Sequence, residues 1–162
     1  MIRNSRFIKN SADGLDFDVT NSIVDGNIFL ENGNDGIDIS SGKPIIKNNR
    51  IEKSGDKCIS VGENSQAIIF NNLLVGCNIG IASKDLSSPV IINTTIVNNK
   101  TGFSAYQKKQ IFGGGGGMII NSIIWNNSQG VELDPKSKIE ISHSVVQGGY
   151  EGEFNLNQDP KL

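Results

Sequence analysis

The sequence predicts an all-β chain wound as a right-handed, single-stranded parallel β-helix of about six 22-residue rungs. Three observations predict it. Composition favours short strands and turns: 24 Ile, 20 Asn and 19 Gly stand against only 8 Leu, so β-branched residues and turn formers outnumber good helix formers. A column of small residues, Gly14, Gly36, Cys58, Gly80, Gly102 and Gly130, recurs at four intervals of 22 and a last one of 28. An asparagine column, Asn27, Asn49, Asn71, Asn93 and Asn121, lies nine residues ahead of it, with Ser5 in the first rung.

Each element follows from these columns. After the small residue the chain reads "GLDF", "GIDI", "CISV", "GIAS", "GFSA" and "GVEL", a period-two alternation that marks a short strand with one buried face. A second alternating strand surrounds the Asn column. Val24, Ile46, Ile68, Val90 and Met118 precede it, and Phe7, Phe29, Ile51, Leu73, Thr95 and Ile123 follow it. Stacked amides in such a column can hydrogen-bond from layer to layer. A leucine-rich repeat has a similar period, and "IKNNRI" offers a comparable Asn context. Leucine is scarce, however, and no segment shows helical periodicity.

The rungs are expected over 1–135, with 136–162 drifting out of register as an irregular end cover. No helical cap is readable at 1–8, so the chain is expected to be a slice of a longer multidomain protein, its open ends inviting end-to-end association. The six extra residues before Gly130 coincide with "IFGGGGG" at 111–117, expected as a flexible loop; no GK[ST] and helix follow to make it a phosphate loop. Cys58 and Cys77 fall three columns apart in this frame and are expected as free buried thiols.

A formal charge of −2 and a pI near 5.4 exclude the basic footprint of a nucleic-acid or anionic-membrane partner. No apolar run approaches the roughly 20 residues of a membrane span. "MIRNSRFIKN" lacks the apolar stretch of an export signal.

The frame converts positions into a surface map. One column holds Asp13, Asp35, Lys57, Ile79, Thr101 and Gln129. The outward strand position holds Asp16, Asp38, Ser60, Ala82, Ser104 and Glu132. Two residues further come Asp18, Ser40, Gly62, Lys84, Tyr106 and Asp134. Asp13, Asp16, Asp35 and Asp38 thus form a two-by-two carboxylate patch, a candidate Ca²⁺ site of hard oxygen ligands; the alternative is a solvated acidic face. Lys57, Lys84 and Lys108 fall on successive rungs.

These residues carry a family resemblance. The Asn column, the Ile-rich strands and the coil length resemble the pectin-lyase-like β-helix superfamily. "NDGIDIS", followed one rung later by "GDKCISVGE", resembles the acidic rungs of polygalacturonases. "NSIIWNN" through "NQDP" resembles the last rungs of bacterial extracellular β-helix repeat proteins, and several segments resemble β-helices attached to CotH-type modules.

The resemblance implies a secreted or cell-surface protein that binds or displays on polysaccharide. It implies candidate catalytic residues Asp35, Asp56, Lys57, Lys84 and Lys108, with Asp38, Glu63 and Tyr106 touching substrate. Lys57 stands where the hydrolases have a second acid, and their Gly-His-Gly rung and Arg-Ile-Lys motif are missing, so a complete hydrolytic pair is not expected. The alternative is a calcium-assisted lyase acting on uronates, with a lysine as base.

Overall fold

A computed structural model describes residues 1–162. The chain winds as a parallel β-solenoid in which each of the first six coils contributes one strand to each of three sheets and the seventh contributes to two, giving seven strands in sheets A and B and six in sheet C. Sheet A runs from Ile2–Arg3 to Lys138–Ser142, sheet B from Arg6–Ile8 to Val145–Val146, and sheet C from Leu15–Thr20 to Gln129–Leu133. All strand pairs are parallel. The solenoid has seven coils rather than six, and three strands per coil rather than two, because the segment around the Asn column bends into separate A and B strands.

Sheet C follows the predicted columns throughout. Asp16 pairs with Asp38, Asp38 with Ser60, Ser60 with Ala82, Ala82 with Ser104 and Ser104 with Glu132. Sheets A and B depart by one residue from the fourth coil onward. Gly62 to Ile68 spans one residue more than its partners Ser40 to Ile45, and Val75 to Ile79 spans one fewer than Glu52 to Lys57. The two changes cancel in the Gly column, which keeps its period of 22. Because side chains alternate between faces, a one-residue slip reverses in and out. Ile69, Ile91 and Ile119 therefore fill the core in place of Ile68, Val90 and Met118, as do Leu74, Ile96 and Ile124 in place of Leu73, Thr95 and Ile123.

The Asn column divides in the same way. Its buried part runs Asn27, Asn49, Asn72: the Asn49 Oδ1 accepts from the Asn27 backbone N–H and side-chain amide, and the Asn72 Oδ1 accepts from Asn49 in the same two ways. Ser122 and Ser144 hydroxyls then continue the ladder for the backbone N–H groups of Thr94 and Ser122. Asn71, Asn93 and Asn121 instead join Asn48 in the left-handed region outside, with φ of 55°, 48°, 49° and 56°, a conformation asparagine tolerates better than most residues. A second ladder, Asn10 to Asn32 and Cys77 to Asn99 to Asn127, lines the corner between sheets B and C.

The cysteines are bridged, correcting the expectation of free thiols. Cys58 and Cys77 form a disulfide with Cα atoms 5.7 Å apart, inside the reach a bridge needs. Cys77 occupies an asparagine place in the second ladder and Cys58 a glycine place in the small-residue column, and the coil brings those two places together. The core is otherwise a single stack of Ile, Leu, Val and Phe that includes both cysteines, ending near the first coil in the Phe7–Phe29 stack at 4.8 Å.

The register does not end at Lys136. Lys138–Ser142 and Val145–Val146 form a regular last coil. Residues beyond it fold back. Leu156 bridges to Val145, and Asn155 accepts from the Ser144 N–H while donating to the Ile141 carbonyl. Asn155 is thus a final ladder residue reached after 11 residues instead of a full coil. The glycine run is tightly placed rather than loose: Gly116–Ile120 is a strand of sheet A, and a Cβ at Gly115 would lie 2.0 Å from the Ser83 carbonyl oxygen.

Candidate functional site

The outer face of sheet C carries most of the predicted site residues. Alternation in strands Ile37–Gly42, Lys57–Gly62 and Ile79–Lys84 sends Ile39, Ile59, Val61 and Ile81 into the core and turns Asp38, Ser60 and Lys84 outward. Outward is not exposed here. Lys57, Ser60 and Lys84 are all buried, Ser60 completely.

Two charged groups sit side by side on this face. In the first, Lys57 reaches the Asp56 carboxylate in direct contact and lies 3.6 Å from the Asp35 Oδ1. The Asp35 carboxylate also accepts the Lys57 backbone N–H, and the Asp13 carboxylate accepts that of Asp35 in the coil before. Asp13 and Asp35 therefore act as backbone caps in one column. Burial works against the Lys57 ammonium, but Asp56, then Asp35, more than offset it and hold the lysine protonated. Burial also pushes the Asp35 carboxyl upward, and Lys57 only partly opposes this. A single lysine is shared by two carboxylates, so its charge is the firmer feature of the group.

In the second group, Lys84 lies back over Gly62, whose missing side chain leaves room for it. Its Nζ comes to 3.9 Å from the Asp38 Oδ1. That oxygen and the Ser60 hydroxyl are buried without a hydrogen-bond partner. Burial draws the Lys84 pKa down; Asp38 opposes this, while Lys108 and Lys57 add to it. Tyr106 pairs with Lys84 across the strands, and burial raises its hydroxyl pKa. Beyond Tyr106 a shallow hollow of about 330 Å³ opens between Ser104, Glu132 and Asp134. The two larger hollows, about 660 and 420 Å³, lie away from this face.

The remaining predicted residues stand apart. Asp16 is exposed, its carboxyl raised by partial burial and then by Asp38, Asp18 and Asp13. Asp13, Asp16, Asp35 and Asp38 share the predicted patch, but no three carboxylates or other ligating side chains gather closely enough to hold a metal ion. The first column spends its carboxylates on backbone N–H groups, and Asp38 faces Lys84. Glu63 lies at the corner after sheet C and pairs with Lys109. Lys108 is exposed on the insertion that follows Tyr106.

That insertion is anchored by two acids, Asp85 and Asp134. Buried Asp85 accepts the N–H groups of Lys108 and Lys109 through one oxygen, and Asp134 accepts that of Gln107. The loop thereby stands as a wall beside Lys84 and reaches back to Glu63. Asp85, next to Lys84 in "SKD", was visible only as one more acid.

The model of the family described as right handed beta helix region matches residues 1–113. This chain belongs to that family. The match covers the first coils, sheet C through Tyr106 and both charged groups of its outer face. No curated protein and no solved structure matches the chain. The chain, like other right-handed β-helices, consists of strands and turns, and no helix is long and apolar enough to cross a membrane.

Proposed function

We propose that this chain is an extracellular β-helix module that binds polysaccharide along the outer face of sheet C, without a complete catalytic set. The observation that carries the reading is the gathering of the Asp38 oxygen, the Ser60 hydroxyl and the Lys84 ammonium from three successive coils, all buried and with no hydrogen bond among them. Sugars offer closely spaced hydroxyls that both donate and accept, and Tyr106 beside the group supplies a ring against which a sugar can pack. Lys84 on its flexible stem swings aside to admit the ligand to Ser60. Hydrolysis is the weaker chemistry, because Asp35 and Asp56 are both engaged by Lys57 and neither is free to serve as acid or base. The disulfide supports an oxidising, extracytoplasmic location.

The test is a glycan array followed by calorimetry on the ligands it identifies. Lys84→Ala and Tyr106→Ala are expected to weaken binding at least tenfold, while Arg50→Ala on sheet B leaves it unchanged. An array with no bound glycan would sink the reading.

One observation favours a second reading, a uronate-directed lyase. Lys84 is drawn toward its neutral form, as a base that abstracts a proton beside a carboxylate requires. The lyase reading predicts unsaturated products from pectate or alginate, followed by ultraviolet absorbance, and their loss in Lys84→Met.

A further inference from the structure

The outer face of sheet A carries an apolar column over five consecutive coils. One outward column, continuous in register, reads Ile23, Ile45, Ile68, Val90 and Met118. The column beside it holds the Asp25–Lys47 ion pair over the first two of these coils and Phe70, Ile92 and Ile120 over the last three. Ile68 and Met118 are 42% and 39% exposed, large fractions for such side chains in a β-sheet face. Elsewhere the chain covers its own outer apolar surface: at the last coils of sheet B, Val97 and Trp125 line a hollow with Asp159 and Leu162 of the C-terminal tail, and Val97 is 8% exposed. On sheet A the tail reaches only the last coils, where Met118 lines a hollow with Tyr150 and Glu151.

The ends of this stripe carry opposite charge. In the coil before Ile23 the outward residue is Arg3, in register with Asp25, and Lys43 and Lys47 lie close by in the third coil. In the coil after Met118 the outward residue is Glu140, which lines a hollow with Glu151 and Glu153; Lys138 is the one cation on that strand. Counting coils from Arg3 as the first to Glu140 as the seventh, the apolar stripe fills the second to sixth and is centred on Ile68 and Phe70 in the fourth.

We propose that this face is a two-fold interface between two copies of the chain, packed sheet against sheet with their coils running in opposite directions. Reversal about the fourth coil sets Ile68 and Phe70 against their own equivalents. It sets Ile45 and Lys47 against Val90 and Ile92, and Ile23 and Asp25 against Met118 and Ile120. The same reversal brings Arg3 of one copy to Glu140 of the other, twice. A surface that complements itself in this way is what a closed two-fold pair requires. A parallel arrangement would instead stack Glu140 on Glu140. Aliphatic side chains predominate, with Phe70 as the only aromatic ring, which suits sheet packing better than sugar stacking. The footprint is small, about 24 Å by 10 Å from five coils and three-residue strands, so the pair is weak and concentration-dependent. Lys47, which lies over the Phe70 ring at 5.8 Å, moves aside on contact.

Sedimentation velocity on the full chain, over a concentration series into the high micromolar range, tests this. The expected result is a monomer–dimer equilibrium that Ile68→Lys shifts at least tenfold toward monomer, with circular dichroism and thermal unfolding unchanged. Met118→Lys, on the same exposed column, serves if Ile68→Lys fails to fold. Arg3→Glu is expected to weaken the dimer several-fold, and Arg3→Glu combined with Glu140→Arg to restore it. A chain monomeric at every concentration overturns the proposal, as does a dimer indifferent to both lysine substitutions. A charge exchange that fails to restore association overturns the antiparallel arrangement.

Discussion

Cys58 and Cys77 are joined at a crossing that the next two coils fill with glycine and asparagine. A Cβ at Gly80 would lie 3.2 Å from the Asn99 amide, and one at Gly102 would lie 2.9 Å from that of Asn127. Both members of that pair change together in one coil, and the disulfide replaces a close glycine–amide contact with a covalent one. Reducing the bridge, or converting both cysteines to alanine, is expected to cost about 3 kcal/mol, the usual scale for closing a loop of this length. Cys58→Gly with Cys77→Asn rebuilds the pattern of the next coils and recovers part of that loss. Urea unfolding of the three forms, oxidised and reduced, measures both effects.

The internal asparagine ladder makes a sharper test of register. Asn49 is buried, receives two hydrogen bonds from Asn27, and donates to the Val24 carbonyl and the Asn72 side chain. Asn49→Ala strands several buried polar groups at once and is expected to destabilise the fold by about 3 kcal/mol or more. Asn72→Ala should behave likewise. Asn71→Ala removes only an exposed residue from a left-handed turn and costs about 1 kcal/mol. Equal losses at positions 71 and 72 would contradict the slipped register.

Sheet C was legible in the sequence because every column of its strands keeps the glycine period. Asp38, Ser60 and Lys84 could therefore be assigned outward from spacing alone. Sheets A and B were legible only through the third coil, where one residue is gained before Ile68 and another is lost before Ile79. Two compensating changes leave the glycine interval intact and hide the slip from any frame anchored on it. In the site, the positions were readable but the side-chain directions were not. Spacing cannot say that Lys84 lies back over Gly62 or that Lys57 divides itself between Asp35 and Asp56. The disulfide was hidden by the same slip: Asn10, Asn32, Ser54, Cys77, Asn99 and Asn127 share a corner column in the fold, but Cys77 falls one residue outside that column in the glycine frame.

Lys84 gives a pH-dependent prediction with a definite sign. Its pKa in the folded chain lies below the ordinary lysine value of 10.5 because burial disfavours the ammonium. The unfolded chain thus holds the proton more tightly. The penalty is fully present below the folded pKa, shrinks as pH rises through it, and vanishes above the unfolded value. Lys84→Met removes this penalty but also the cation facing Asp38, so its stability relative to the unchanged chain is expected to be greatest near pH 7. That relative stability should fall toward pH 10.5. Paired denaturant titrations across that range check it, and a relative stability that grew with pH would contradict the assignment of burial as the cause.

The insertion after Tyr106 depends on close backbone packing. Gly115 lies against Ser83, one residue from Lys84, and an added Cβ would meet the Ser83 carbonyl oxygen at 2.0 Å and its carbon at 2.5 Å. Backbone atoms cannot yield as a flexible side chain does, so Gly115→Ala forces the loop away from the coil. The expected cost is about 3 kcal/mol or more. It also loosens the wall beside Lys84, so glycan affinity should fall with stability even though residue 115 touches no ligand. Asp85→Asn separates the two effects: it keeps an oxygen for the Lys108 and Lys109 N–H groups but removes a charge near Lys109. Hydrogen exchange over 107–113 should therefore rise sharply in Gly115→Ala and only slightly in Asp85→Asn. A loop equally protected in both variants would mean that its position does not depend on the glycine contact.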